Sequence, residues 1–222
     1  MGFFVFFCVV AFILWGVFLI TGYLTYIVRH SNRSTRKLNK VRLCCVMGSG
    51  GHTTEMINLL KEMNDAYSPR IYIIAETDQM SQQKVIEHEQ DLGAGEFDIV
   101  RIPRSREVGQ DYFSSVFTTI NAFYYASFAV WKANPDLLLL NGPGTCIPVA
   151  LAAAILDMLR LRDTKIVYEE SICRVEKLSM SASILYYSGL ADNVIVQWPQ
   201  LKHLYPRTTY IGDMASESAT ST

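Results

Sequence analysis

The sequence predicts an α/β protein: an N-terminal transmembrane helix followed by one doubly wound parallel sheet. Three observations predict it. An uncharged apolar stretch runs from Gly2 to Val28. Beyond residue 40, short apolar runs alternate with segments of helix length. The first of those runs, Val41–Met47, enters a glycine-rich turn, Gly48-Ser49-Gly50-Gly51-His52-Thr53, where a helix is due to begin.

Taken in chain order, the apolar stretch comes first. At about 1.5 Å per residue, a helix of roughly 25 residues exceeds a hydrocarbon core of about 30 Å. A cleaved signal peptide would carry a basic residue before a shorter apolar run and a small-residue cleavage site; Thr21-Gly22-Tyr23-Leu24 is a poor one. The stretch reads as a retained anchor. Arg29, Arg33, Arg36, Lys37, Lys40 and Arg42 follow with no acidic residue among them, and basic residues concentrate on the cytoplasmic side. The expected organisation is an anchor at 1–28, a basic linker at 29–40, a cytosolic α/β domain at 41–212 and a polar, disordered tail at 213–222. With 50% hydrophobic residues in 222, the chain can bury one sizeable core besides the anchor. A net charge of −1 gives no reason to expect nucleic acid. Cys8, Cys44, Cys45, Cys146 and Cys173 are odd in number and stand in apolar settings, as reduced structural thiols do. On the cytosolic side the sequon Asn32-Arg33-Ser34 goes unmodified.

Within the domain, strands are expected at 41–47, 71–76, 97–102, 136–140, 165–169 and 193–197. Most are continuous apolar runs, as in parallel sheets covered on both faces. Helices are expected at 53–65, 79–90, 113–132, 146–161 and 177–188. Helix 146–161 is too short and interrupted to span a membrane and reads as a buried core helix. Right-handed crossovers then place the ligand site at the C-terminal ends of the strands.

Three loops reach that edge. Gly48–Glu55 offers backbone N–H groups and a helix N-terminus suited to phosphate, with Thr53 or Thr54 as a possible cap. Asn141-Gly142-Pro143-Gly144-Thr145 follows the fourth strand, and Glu169-Glu170-Ser171 follows the fifth. Adjacent strand residues face opposite ways, so Glu169 and Glu170 cannot both serve one site, and one of them is a structural hydrogen-bonding partner. Arg104 and Arg106, after the third strand, are either surface charges or phosphate contacts. Glycines at such turns also serve positive φ or close packing, and a histidine at a helix start is as often a solvated cap as a ligand-facing residue. A nicotinamide-dependent reductase is the competing class, because Glu76 ends the second strand where a ribose-binding acid would lie. Its spacing fails: Thr53 stands where the third glycine belongs, and there is no Tyr-x-x-x-Lys pair. No Walker lysine, Gly-x-Ser-x-Gly elbow or Cys/His metal cluster is present, so neither metal nor cofactor is expected.

Five segments carry a resemblance: Gly48–Met56, Ile102–Val108, Asn141–Cys146, Glu170–Glu176 and Ile195–Pro199. In order and spacing they resemble the family of membrane-anchored subunits of the two-part UDP-N-acetylglucosamine transferase of dolichol-linked oligosaccharide assembly. The resemblance runs from the anchor to about Gly212. More remotely, the turn ending in His52 and the Glu169-Glu170-Ser171 turn look like the acceptor-side domain of the bacterial lipid II glycosyltransferase.

The resemblance implies a Rossmann-like, acceptor-side half of a GT-B fold at the cytosolic face of the endoplasmic reticulum. It also implies a separate soluble subunit that carries the donor site. Residues 41–212 provide about one α/β domain, and no Asp-x-Asp is present to hold a metal on a sugar nucleotide. The implied reaction adds the second N-acetylglucosamine to GlcNAc-diphosphodolichol. His52 is then the candidate base or phosphate ligand. Gly48, Ser49, Gly50, Gly51, Thr53, Arg104 and Arg106 are candidates for the diphosphate. Asn141, Gly142, Gly144, Thr145, Glu170 and Ser171 are candidates for the acceptor sugar and the facing donor domain. Family chains dock the partner with their extreme C-terminus and typically end near Tyr210–Gly212; here Asp213-Met214 and a polar octapeptide follow.

Overall fold

A computed structural model of the chain describes residues 39–93, 95–105, 112–142 and 144–212, together with helical Val10, Phe12, Gly16, Val17 and Ile20. The rest of the expected anchor, most of the linker and the tail lie outside the described residues. Among those described, no helix is long and apolar enough to cross a membrane.

Seven strands alternate with six helices in the domain. They are β1 (Leu43–Val46), α1 (Gly51–Lys61), β2 (Arg70–Ala75), α2 (Gln79–Leu92), β3 (Phe97–Ile102), α3 (Tyr112–Ala133), β4 (Leu137–Asn141), α4 (Cys146–Met158), β5 (Lys165–Glu169), α5 (Met180–Ser188), β6 (Asn193–Val196), α6 (Pro199–Leu204) and β7 (Thr209–Tyr210). One all-parallel sheet runs β3-β2-β1-β4-β5-β6-β7. The order reverses between β1 and β4, which is where a doubly wound sheet opens a ligand crevice.

The central strands are largely apolar because both faces are covered, whereas the edge strand β3 carries Asp98 and Arg101 and is mostly exposed; successive residues of the central strands alternate between two cores. Cys44, Val46, Leu138, Leu140, Ile166 and Tyr168 face the core beneath α3, α4 and α5. Leu43, Cys45, Met47, Tyr72, Leu139 and Val167 face the core beneath α1 and α2. Burial without a charged partner raises the Cys44 and Cys146 thiols to about 12, so both are inert packing groups. The expected buried helix is α4, whose Cys146, Val149, Ala150, Ala152, Ala153 and Ala154 lie in the core.

Several boundaries differ from expectation for local reasons. Helix α1 starts at Gly51 rather than residue 53, because Gly50 takes a positive φ of 65° and turns the chain early. α5 starts at Met180, where the Ser179 hydroxyl accepts the Ala182 N–H as a true N-cap. The sequence pattern missed α6, which is one short turn behind Pro199, and β7, which has two residues.

One polar group sits inside the α1/α2 core. Arg70 donates through Nε and Nη2 to the two carboxylate oxygens of Glu89, each at 2.7 Å, and Tyr72 adds its hydroxyl at 2.5 Å. Breaking such a pair from one side leaves an uncompensated buried charge. Glu89→Ala is therefore expected to lower the unfolding free energy by about 3–5 kcal/mol, measured by urea titration of the purified chain in detergent. Replacing both partners, Arg70→Met with Glu89→Leu, is expected to recover part of that loss.

Candidate functional site

Gly48, His52, Asn141, Gly142 and Ser171 come together at the C-terminal edge of the sheet, around the start of α1. Gly48 leaves β1 against a crowded wall. A Cβ there would come within 2.7 Å of the His52 Cβ and 2.9 Å of the Asn141 carbonyl oxygen. Gly142 has φ 102°, and a Cβ on it would lie 3.1 Å from the His52 ring. The two glycines let the imidazole sit between two loops, so close packing and positive φ are themselves what builds this site.

His52 Nδ1 lies 2.8 Å from Asn141 Oδ1 and 3.3 Å from Glu55 Oε2. The Asn141 amide nitrogen donates to Glu55 Oε2 at 3.3 Å and to Glu169 Oε2 at 3.4 Å. That arrangement fixes which end of the amide meets the ring. An oxygen faces Nδ1, so Nδ1 carries the proton and Nε2 keeps its lone pair. Nε2 has no hydrogen bond to any described residue, and the side chain is about one-third exposed. A ring held from behind with a bare nitrogen in front is arranged to accept a proton.

Glu55 is the hub of the site. Its other oxygen accepts the Ser171 hydroxyl at 2.7 Å and the Ile172 N–H at 3.2 Å. It therefore ties α1 to the β4 and β5 loops. Glu169 is buried and accepts Gln197 Nε2 at 3.1 Å from the end of β6. Burial raises its carboxyl above the ordinary range; the Asn141 hydrogen bond opposes this, the nearby Glu55 charge adds to it, and the Gln197 bond opposes it again.

Other expected residues fall differently. Glu170 is turned away from the site and is almost fully buried. Its carboxylate accepts the N–H of Ser171 at 3.0 Å and of Ser179 at 2.6 Å, which makes it the structural member of the pair. The reason is parity: Glu169 shares the face of Val167 and Glu170 shares that of Tyr168. Thr53 does not cap α1. Its hydroxyl is buried, donates to the Gly48 carbonyl and meets Ser81 Oγ at 2.6 Å, so it braces the turn from below. Thr54 accepts Lys84 Nζ at 2.9 Å. No side chain caps α1, so its first turn, at exposed Gly51 and half-exposed His52, is left open beside exposed Ser49. Such an N-terminus suits an anion. Gly144 and Thr145 are half-buried at the start of α4. Arg104 follows β3, two strands away from β1, and is not hydrogen-bonded to the other candidates. Arg106 lies outside the described residues.

Sequence reasoning gave no role to Glu55 or Gln197, and it carried Glu170 rather than Glu169 into the site. Glu55 was recoverable, since it stands three residues after His52 on one helix face. The other two depended on register, which pairs Asn141 with Glu169 and Glu169 with Ile195.

The family described as "Oligosaccharide biosynthesis protein Alg14 like" matches residues 43–214. The human UDP-N-acetylglucosamine transferase subunit ALG14 is 48% identical over 174 residues, covering 75% of this chain and 80% of that protein. The subunit of the same name from Candida albicans is 38% identical over 180 residues, covering 81% of each. Among solved structures, Acinetobacter baumannii MurG superposes with a TM-score of 0.50 at 17% identity, over 71% of this chain and 41% of that one. That likeness concerns the fold alone.

Two outcomes are expected. Imidazole 15N NMR is expected to show neutral His52 as the Nδ1–H tautomer, and Asn141→Ala to move it toward the Nε2–H form that free histidine favours. The raised Glu169 carboxyl binds its proton more tightly in the folded state than in the unfolded one. Its contribution to stability is full below the ordinary value of 4.5 and is lost as pH rises through the raised value. The stability difference between the wild-type chain and Glu169→Gln is thus expected to shift against the wild type from pH 4.5 upward in pH-dependent thermal melts.

Proposed function

The chain belongs to the family of Alg14-like oligosaccharide biosynthesis proteins, and we propose that within it the His52 crevice binds the acceptor of the transfer reaction. The chain is a subunit of a UDP-N-acetylglucosamine transferase, as its relatives are named. In this reading residues 1–28 anchor it in the endoplasmic reticulum membrane, residues 41–212 face the cytosol, and a soluble donor-binding subunit completes the enzyme. Neither half is expected to be active alone.

The acceptor is GlcNAc-diphosphodolichol. Its diphosphate sits against the uncapped start of α1, at Ser49, Gly50 and Gly51. The acceptor hydroxyl attacks the anomeric carbon of the donor sugar, a C–O bond forms, and UDP departs with the electrons of the broken bond. The hydroxyl proton passes to His52 Nε2. The Asn141 oxygen and Glu55 then face a positively charged imidazole, which they stabilise through Nδ1. The observation that carries this reading is the setting of His52: its Nδ1 is bound to Asn141 and Glu55, its Nε2 has no hydrogen bond to a described residue, and it stands in the uncapped first turn of α1. A scaffold that merely recruits the donor subunit has no need of that arrangement.

The test is transfer by the reconstituted pair. His52→Ala and His52→Gln are each expected to lower kcat by about 10²–10⁴-fold, the usual span for a lost general base, with the complex intact on gel filtration. Near-normal turnover in both would leave the chain a scaffold. Glu55→Gln is expected to lower kcat more than Glu170→Gln, whose main effect falls on thermal stability.

A further inference from the structure

The segment Ile195–Pro199 carries two polar groups that no step of the transfer has used, the Gln197 amide and the Trp198 indole. Strand β6 ends at Val196, and its register against β5 sets Ile195 beside Glu169. Period-two geometry continues past the strand end. Ile195 packs against the core beneath α1 and α2, and Val196 lies in the core on the other face. Gln197 therefore follows Ile195 to the side of the crevice, and Trp198 follows Val196 away from it. The backbone here is well fixed. Trp198 is extended, with φ −127° and ψ 133°, the conformation favoured before Pro199, and its indole is tied to the Ile172 carbonyl at 2.7 Å.

The Gln197 amide reaches back to Glu169. Its Nε2 donates to Oε1 at 3.1 Å, while the other carboxylate oxygen, Oε2, accepts the Asn141 amide at 3.4 Å. Asn141 passes the contact on, since its Oδ1 lies 2.8 Å from His52 Nδ1. One row of hydrogen bonds thus runs from the end of β6 through β5 and β4 to the first turn of α1. Its direction is fixed by chemistry. Both amides donate to Glu169, which suits a carboxylate, an acceptor on both oxygens. The groups facing that carboxylate are Gln197 from β6, Asn141 from β4 and Glu55 from α1, with His52 behind Asn141; Glu170, next in the chain, is turned the other way. None of these is a fixed cation. A buried carboxylate is disfavoured unless donors hold it, and among the described residues the groups that favour its charged form are the two amides. A charge kept in that place backs the imidazole. When His52 takes the acceptor proton, a cation forms one amide away from Glu169, and negative charge set there in advance stabilises it.

We propose that Gln197 is a positioning residue for the transfer: it keeps Glu169 a carboxylate aimed at Asn141, so that a second negative charge stands behind His52 as the ring takes the proton. Gln197 does not touch the ring and acts through Glu169 and Asn141. This deepens the reading of His52 as the base and rests on it.

The experiment uses the full chain with Gln197→Met, which keeps the side-chain length and loses the donor, and Gln197→Lys, which restores a donor. Trp198→Phe is the control, because it loosens the same loop without touching Glu169. The pH titration of the Glu169 carboxyl carbon is followed by 13C NMR of the purified chain in detergent. Gln197→Met is expected to move it to higher pH, Gln197→Lys to move it to lower pH, and Trp198→Phe to leave it in place. In the reconstituted pair, Gln197→Met is expected to lower kcat at pH 7 by about tenfold, the factor of one lost hydrogen bond to a charged group, with KM for the acceptor within about twofold of the wild type. The deficit shrinks as pH rises, since Glu169 then ionises without the donor, and Gln197→Lys keeps kcat within about threefold. A deficit that is equal at every pH, or that Gln197→Lys and Trp198→Phe share, is the mark of a disturbed fold and overturns the proposal. So does a displaced Glu169 titration with normal turnover. Should the Met variant misfold, Gln197→Lys decides by itself: an unmoved Glu169 titration in it overturns the proposal. Normal turnover in His52→Gln removes the base and this role with it, and that failure is distinguishable because the Glu169 titration still moves.

Discussion

The buried Asn141 amide is the joint on which the site depends. Its oxygen faces His52 and its nitrogen faces two carboxylates, Glu55 and Glu169. An amide has an acceptor end and a donor end, so it can satisfy both kinds of neighbour in one orientation only. A carboxylate in its place would repel Glu55 and Glu169, and an apolar residue would remove one hydrogen-bond partner from each of His52, Glu55 and Glu169 at once. Through this group, the end of β4 sets the tautomer of a histidine that belongs to α1, 89 positions earlier in the chain.

Around that joint the site is held by residues that do not face a ligand. Thr53 and Ser81 brace the Gly48 carbonyl from below, and Asp78 accepts from both the hydroxyl and the N–H of Ser81. Glu170 anchors the start of α5 and the turn at Ser171, and the Ser171 hydroxyl then meets Glu55. The Trp198 indole donates to the Ile172 carbonyl at 2.7 Å and holds the same loop from the β6 side. The flexible-looking glycine turn is thus clamped by four strand ends. An acid–base group needs such fixed geometry more than it needs an unusual environment.

The exposed apolar flank of α3 follows from how the chain is wound. The crossover from β3 at the edge of the sheet to β4 at its middle is long, and α3 makes it over the face opposite α1. One end of α3 is therefore tied to the loop after β3, and the other lies beside Arg42, where the chain enters β1. Small residues face inward because α3 packs closely on α4, and of the large apolar residues described on it only Phe123 packs against the core while most of the others stay outside.

Much of this was legible in the sequence. Apolar runs, a glycine turn at the first strand end and polar loops after the fourth and fifth strands predicted the sheet, its crossover chemistry and the edge that carries the site. His52, Asn141 and Ser171 were visible because polar residues stand out at the ends of apolar strands. Period-two geometry also determined that Glu169 and Glu170 point apart. Which of them reaches the site was beyond it. A parallel strand covered on both faces has no hydrophobic alternation, so nothing in the run Lys165–Tyr168 labels one side as that of α1. The pairing of Asn141 with Glu169, and the placing of α1 and α5 on opposite faces, made that choice. The same holds for α3. Its sequence is apolar all round, and only its packing on α4 decided that the alanines go in with Phe123 while most of the aromatic rings stay out.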